Sequence, residues 1–132
     1  MSIYIIGEVG SNFDANFNQA KRLIDIAATS GVNAVKFQLF KAELLYPNGP
    51  KSVFDSVLKS KLPREWVPEL KEYAESVGID FLASPFDIEA VDLLEKVGVS
   101  AYKIASSEVL NHELLLRVAK TKKIIYLSLI LY

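Results

Sequence analysis

The sequence has no cysteine and only one histidine, one tryptophan and one methionine. Without cysteine there can be neither a disulfide framework nor a thiolate zinc site, and the absence fits the cytoplasm, where the protein is expected to reside. The lone histidine, His112, has no second imidazole with which to share a metal, and it reads as a surface or capping residue at a helix start. No apolar run reaches the roughly 18 residues of a membrane span. The opening Met1-Ser2-Ile3-Tyr4-Ile5-Ile6 lacks the charged and long apolar regions of a signal peptide, and Glu8 follows too soon. A basic excess is missing as well: the net charge of −1 argues against nucleic acid as a partner. Neither G-x-G-x-x-G nor G-x-x-x-x-G-K-[ST] occurs, so any phosphate must be recognised by side chains instead of a glycine-rich loop.

What is present describes one globular domain of 132 residues, 51% hydrophobic and 23% charged. Short apolar runs at Ile3–Ile6, Ala34–Leu39, Phe81–Ala83, Ala101–Ala105 and Lys123–Leu127 read as strands. A loop rich in Gly, Ser, Asn and Asp follows the first, from Gly7 to Asn16. Between the runs, Ala20, Leu23, Ile24, Ala27 and Ala28 recur at helical spacing, as do Trp66, Leu70, Tyr73, Ala74 and Val77. Trp66 and Tyr73 read as packing residues. Asp87 and Asn111 are placed to cap two further helices, and Pro63 suits the first turn of another. Residues 41–62 read as irregular, with a strong turn at Pro47-Asn48-Gly49-Pro50 and at most a helical turn around Val53–Leu58.

Strand and helix alternate throughout, which specifies parallel α/β architecture. The phrase "helix, glycine, one or two residues, strand" recurs at Gly31, Gly78 and Gly98. Such repetition favours a (β/α) barrel over a doubly wound sheet. A complete eight-stranded barrel takes about 250 residues, so five strands imply either a smaller fold or the first part of a barrel.

In parallel α/β folds, chemistry sits beyond the carboxyl ends of the strands. There the chain places Glu8; Lys36 and Gln38; Ser84-Pro85-Phe86; Lys103 with Ser106-Ser107-Glu108; and Ser128. Parity sets Lys36 and Gln38 opposite Val35, Phe37 and Leu39, so in an inner strand Lys36 faces the barrel axis, near Lys103 or Gln38. Taken singly, each lysine could be an edge residue, each serine a loop cap and Glu8 a loop carboxylate. Two lysines at equivalent places in two strands instead ask for a polyanion such as an enol phosphate.

Four segments carry a resemblance: Ile5-Ile6-Gly7-Glu8-Val9-Gly10-Ser11-Asn12, Ala34-Val35-Lys36-Phe37-Gln38, Phe81-Leu82-Ala83-Ser84-Pro85-Phe86-Asp87 and Tyr102-Lys103-Ile104-Ala105-Ser106-Ser107-Glu108. In order and spacing they resemble the sialic acid synthase family, which includes N-acetylneuraminate, legionaminate and pseudaminate synthases and related spore-coat polysaccharide enzymes. The resemblance implies a (β/α)8 TIM-type barrel, here about five β/α units of it. The implied reaction condenses phosphoenolpyruvate with an N-acetylated amino sugar to a nine-carbon sugar acid. It implies further that Lys36, Gln38, Lys103 and Ser106 hold phosphoenolpyruvate, with Ser84 and Phe86 beside it and Ser128 also serving the phosphate. Glu8 and Glu108 would be an acid/base or substrate-orienting pair, and a divalent metal, manganese or magnesium, would polarise the aldehyde oxygen.

The chain also departs from that pattern. Asn12-Phe13 stands where the family has Asn-His, which implies a lost sugar contact. Ser128 runs into Leu129-Ile130-Leu131-Tyr132 instead of a Ser-Thr-Gly-Met type sequence. The family's metal-binding histidines, the later strands and the C-terminal antifreeze-like domain have no counterpart. The expectation is a single partial barrel domain over 1–132 whose uncharged last run, Ile124 to Tyr132, seeks another copy or a complementing chain. Two rivals stand beside this reading: another phosphoenolpyruvate-dependent aldol synthase, and a catalytically silent fragment that binds only an anion or a partner chain.

Overall fold

The computed structural model describes residues 3–45 and 47–129. Met1 and Ser2 of the opening run, and Ile130, Leu131 and Tyr132 of the final one, lie outside the described residues. Five strands are present: β1 (Ile6–Gly10), β2 (Ala34–Leu39), β3 (Asp80–Pro85), β4 (Ala101–Ile104) and β5 (Ile124–Leu127). They alternate with α1 (Phe17–Thr29), α2 (Ala42–Leu45), α3 (Lys51–Ser60), α4 (Val67–Ser76), α5 (Ile88–Val97) and α6 (His112–Ala119). β1, β2 and β3 form one parallel ladder and β4 pairs in parallel with β5. β3 and β4 lie side by side between the two ladders. Strand order therefore follows chain order, as winding around a single axis requires, without the reversal of a doubly wound sheet. The chain adopts the barrel-type α/β fold, over five of the eight strands that a closed barrel holds.

Local chemistry sets the helix ends. Asn16, Asp87 and Asn111 each accept a backbone N–H three residues on, at 3.0, 2.8 and 3.2 Å. The recurring glycine has one cause: Gly31, Gly78 and Gly98 turn the chain from helix toward strand at φ +77°, +86° and +75°, where a β-carbon is strained.

Three boundaries differ from the sequence reading. β1 begins at Ile6, not Ile3, because the Asn33 side chain takes the Ile5 N–H at 2.8 Å and the ladder starts only at Ile6 opposite Ala34. Residues 41–62 hold α2 and α3, not irregular chain; the Pro50 carbonyl accepts the N–H groups of Val53 and Phe54 to start α3. That helix buries no residue fully, so its apolar stripe is short and easily missed. Pro63 leads into a 3₁₀ turn, Arg64–Trp66, and α4 follows with Pro68 in its own first turn.

The inner strands β2, β3 and β4 are covered on both faces. Outward, Val35, Phe37, Leu39, Phe81, Tyr102 and Ile104 pack with Ile24, Leu70, Leu94 and Leu114 of the helices. Inward, Ala34, Leu82 and Ala101 form a small second cluster with Ile6 and Tyr126, nearer the amino ends of the strands. Trp66 packs edge-on against Phe13 and Phe17, and Tyr73 donates to Asp25 at 2.7 Å beneath the Lys21 ammonium. Phe13, at the position expected to touch a sugar, is fully buried in the outer core against Phe37 and Trp66. Packing, not ligand contact, accounts for that residue.

Candidate active site

All five strands are parallel, so their carboxyl ends share one end of the fold. Lys36 lies midway along β2, an inner strand, one layer below Gln38 and Ser84 at that end, paired on both sides and only 8% exposed. An ammonium in such a place needs a counter-charge. Glu8 provides it: the two residues face each other directly in the β1–β2 ladder, and their side chains form an ion pair. The ladder slips between Glu8 and Gly10, a bulge that re-aims the strand before pairing resumes at Gly10 opposite Phe37. Gly10 has φ +58°, and a β-carbon there would come within 3.2 Å of Glu8 Oε1 and 3.9 Å of Gln38 Nε2. The glycine therefore keeps open the space beside the Glu8 carboxylate and the Gln38 amide.

Lys103 enters the same site from β4. Burial holds its ammonium below the usual lysine range, the positive charge of Lys36 pushes the same way, and the Glu8 carboxylate opposes both. That mutual influence ties Lys103, Lys36 and Glu8 into one electrostatic cluster, although Lys36 stands 28 residues from Glu8 and 67 from Lys103 in the sequence. Among the described residues Lys103 has no ion-pair partner. Gln38 and Ser84 are ladder partners on the face that carries Lys36, and Ser84 is 2% exposed. Ser106 opens the 3₁₀ turn Ser106–Glu108 just past β4. Ser128 follows β5, its N–H donating to the Ile104 carbonyl at 3.1 Å, which fixes it beside the end of β4.

Two expected members are drawn elsewhere. Glu108 accepts from Asn111 Nδ2 at 3.0 Å and from the Ser107 hydroxyl at 3.2 Å, and shares no hydrogen bond or ion pair with Glu8. It lines a neighbouring groove of about 320 Å³ with Phe86, Lys41, Leu44, Asn111 and Leu114. Phe86 packs edge-on against Phe40, ring centres 6.0 Å apart, and borders that groove. The turn after β4 hands the Glu108 carboxylate to the capping asparagine of α6, while Glu8 is held by Lys36, so the two carboxylates expected as an acid/base or substrate-orienting pair have separate partners. The part played by Gly10 was missed by sequence reasoning; the two-residue step from Glu8 to Gly10 was the available signal.

The donors present do not fit a divalent metal. Among the described residues no three His, Cys, Asp or Glu side chains converge, and His112 is exposed at the start of α6.

Comparison with known proteins bears out the fold and the resemblance. The chain is 37% identical over 131 residues to the spore coat polysaccharide biosynthesis protein SpsE of Bacillus subtilis, covering 92% of this chain and 35% of that protein. It is 39% identical to the N,N'-diacetyllegionaminic acid synthase of Campylobacter jejuni, covering 94% of this chain and 41% of that one. The chain thus spans well under half the length of these curated relatives. The crystal structure of an N-acetylneuraminic acid (sialic acid) synthetase from Leptospira borgpetersenii, in complex with citrate, superposes with a TM-score of 0.91 at 34% identity. That match covers 97% of this chain and 45% of the other. The NeuB family model matches residues 23–129, and with it the strands bearing Lys36, Ser84 and Lys103; the chain belongs to the NeuB family.

Proposed function

We propose that this chain carries the phosphoenolpyruvate half-site of a synthase that condenses phosphoenolpyruvate with an N-acetylated amino sugar into a nine-carbon sugar acid. The observation that carries the reading is the juxtaposition of Lys36 and Lys103, two half-buried or buried cations on the inner face of a parallel barrel toward its carboxyl end. Glu8 offsets only one of these two charges, so the pair still favours an anion, and lysine ammoniums with nearby hydroxyls suit phosphate and carboxylate. Gln38, Ser84, Ser106 and Ser128 are the neutral donors at the same strand ends. The citrate named with the Leptospira synthetase is, like phosphoenolpyruvate, a small polyanion.

In this reading the enol carbon of phosphoenolpyruvate attacks the aldehyde carbon of the sugar, forming the new C–C bond. Water adds to the carbon bearing the phosphate, whose C–O bond then breaks to release inorganic phosphate. Lys36, Lys103, Gln38 and the serines bind and orient the phosphate and carboxylate and offset their charge. Glu8 is the carboxylate at hand for moving a proton at the sugar aldehyde oxygen or the attacking water. The amino-sugar side of the reaction, any metal and completion of the barrel by further strands belong to the whole protein of this family type.

Calorimetric titration with phosphoenolpyruvate tests the half-site. Lys36→Met with Lys103→Met should abolish binding. In the unsubstituted chain affinity should fall as pH rises, beginning below the pH at which an ordinary lysine deprotonates, because Lys103 loses its charge early. Equal binding by the double variant would place the anion elsewhere.

A further inference from the structure

We propose that Glu8 is an internal competitor for the anion: its carboxylate holds the Lys36 ammonium, and an arriving phosphate or carboxylate group must displace it. The inference rests on the anion-site reading above and assigns different roles to the two lysines.

Three observations carry it. First, Glu8 and Lys36 are direct ladder neighbours and already form an ion pair, so the Lys36 charge is committed within the fold. Lys103 has no such partner among the described residues and is the cation left for first contact. Second, the members of the pair differ in freedom. The Lys36 side chain is 10% exposed and fixed on an inner strand, whereas that of Glu8 is 46% exposed. The carboxylate is the member that can turn into water at little cost, while a displaced lysine would be left buried. Third, the backbone makes room for this arrangement. Gly10, in the left-handed region just past the ladder slip, leaves the Glu8 carboxylate the space that a β-carbon would enter at 3.2 Å.

Two negative groups cannot share one ammonium without mutual repulsion. Binding of the anion at Lys103 and Lys36 therefore expels Glu8 from Lys36. The same event frees the carboxylate, so a proton-transferring group becomes available only once the anion is seated. A merely supportive Glu8, one that orients Lys36 toward its ligand, makes the opposite forecast: its removal would weaken binding.

The test is a double-mutant cycle on the full chain, read by calorimetry with inorganic phosphate and with phosphoenolpyruvate at low ionic strength. Glu8→Gln should tighten binding by about three- to tenfold, and the gain should shrink as salt is added. In a Lys36→Met background the same substitution should have no such effect, since the contested ammonium is gone. Glu8→Ala provides a second variant with the same expected direction. Unchanged or weaker binding by both Glu8 variants, with Lys103→Met still lowering affinity at least about tenfold, would overturn the competition and leave the anion site standing. Phosphate binding that ignores both lysines, or is absent from every protein in the cycle, would instead bring down the anion-site reading itself.

Discussion

β2 and β5 are strands of the same sheet type in the same fold, and their surroundings invert what their compositions suggest. β2 contains a lysine and a glutamine, yet five of its six residues are buried and the sixth is half-buried. β5, Ile-Ile-Tyr-Leu, has no polar residue except the tyrosine hydroxyl, yet Ile124, Ile125 and Leu127 are 63%, 40% and 51% exposed. The difference is neighbours. β2 has β1 and β3 in its ladder and helices over its outer face; β5 pairs only with β4 among the described residues. Burial in a parallel sheet is assigned by position in the ladder, and a charged residue on an inner strand is then a matter of function, while an apolar one on an edge is a matter of pairing.

The largest effect should come from breaking β2. Phe37 is fully buried, with Phe81 stacked at 5.4 Å and Phe13 at 6.3 Å. Phe37→Ala should cost about 3–5 kcal/mol in denaturant unfolding, against under about 1 kcal/mol for Ile125→Ala on β5. Equal losses would show that β5 is covered in solution.

A second experiment sharpens the contrast at the edge. We expect the chain to self-associate, or to bind a complementing chain, through β5, whose exposed Ile125 and Leu127 carry no charge to discourage pairing. Light scattering should report association that rises with concentration, and Leu127→Lys should shift it toward monomer. A compact monomer at high concentration, with a sharp unfolding transition, would dispose of the edge.

The smallest effect lies on the outer side between α5 and β4. Burial pushes the Glu95 carboxyl up, but hydrogen bonds from Lys123 and Tyr102, each at 2.7 Å, outweigh it and hold the group below the usual carboxylate range. A folded-state value below the unfolded one contributes stability that is full above the unfolded value and is lost as pH falls through the folded one. Glu95→Gln should therefore destabilise modestly at neutral pH, and the difference should shrink as the pH of the melts falls below the ordinary glutamate value. A difference independent of pH would assign the loss to packing.

Much of this was legible beforehand, for reasons tied to particular residues. Parity along Val35-Lys36-Phe37-Gln38 puts Lys36 and Gln38 on one face whatever surrounds them, and the capping chemistry of Asp87 and Asn111 is local. What escaped was non-local. That Glu8 sits opposite Lys36 is a matter of ladder register, which no single strand encodes. That Glu108 turns to Asn111 depends on how a 3₁₀ turn delivers it to the next helix. Phe13 looked like a missing ligand contact because a loop residue's direction follows from packing against Phe37 and Trp66.

The sequence by itself determined the alternation of strand and helix, the left-handed glycines between them, the inward face of each strand and the kind of residue at its carboxyl end. These follow from periods of 2 and 3.6 residues and from the φ range open to each residue type, all within a few positions along the chain. Tertiary structure alone decided which charges meet. Ion pairing, burial of an ammonium and exposure of an edge depend on through-space distances between segments far apart in sequence, and those distances exist only once the ladders have closed.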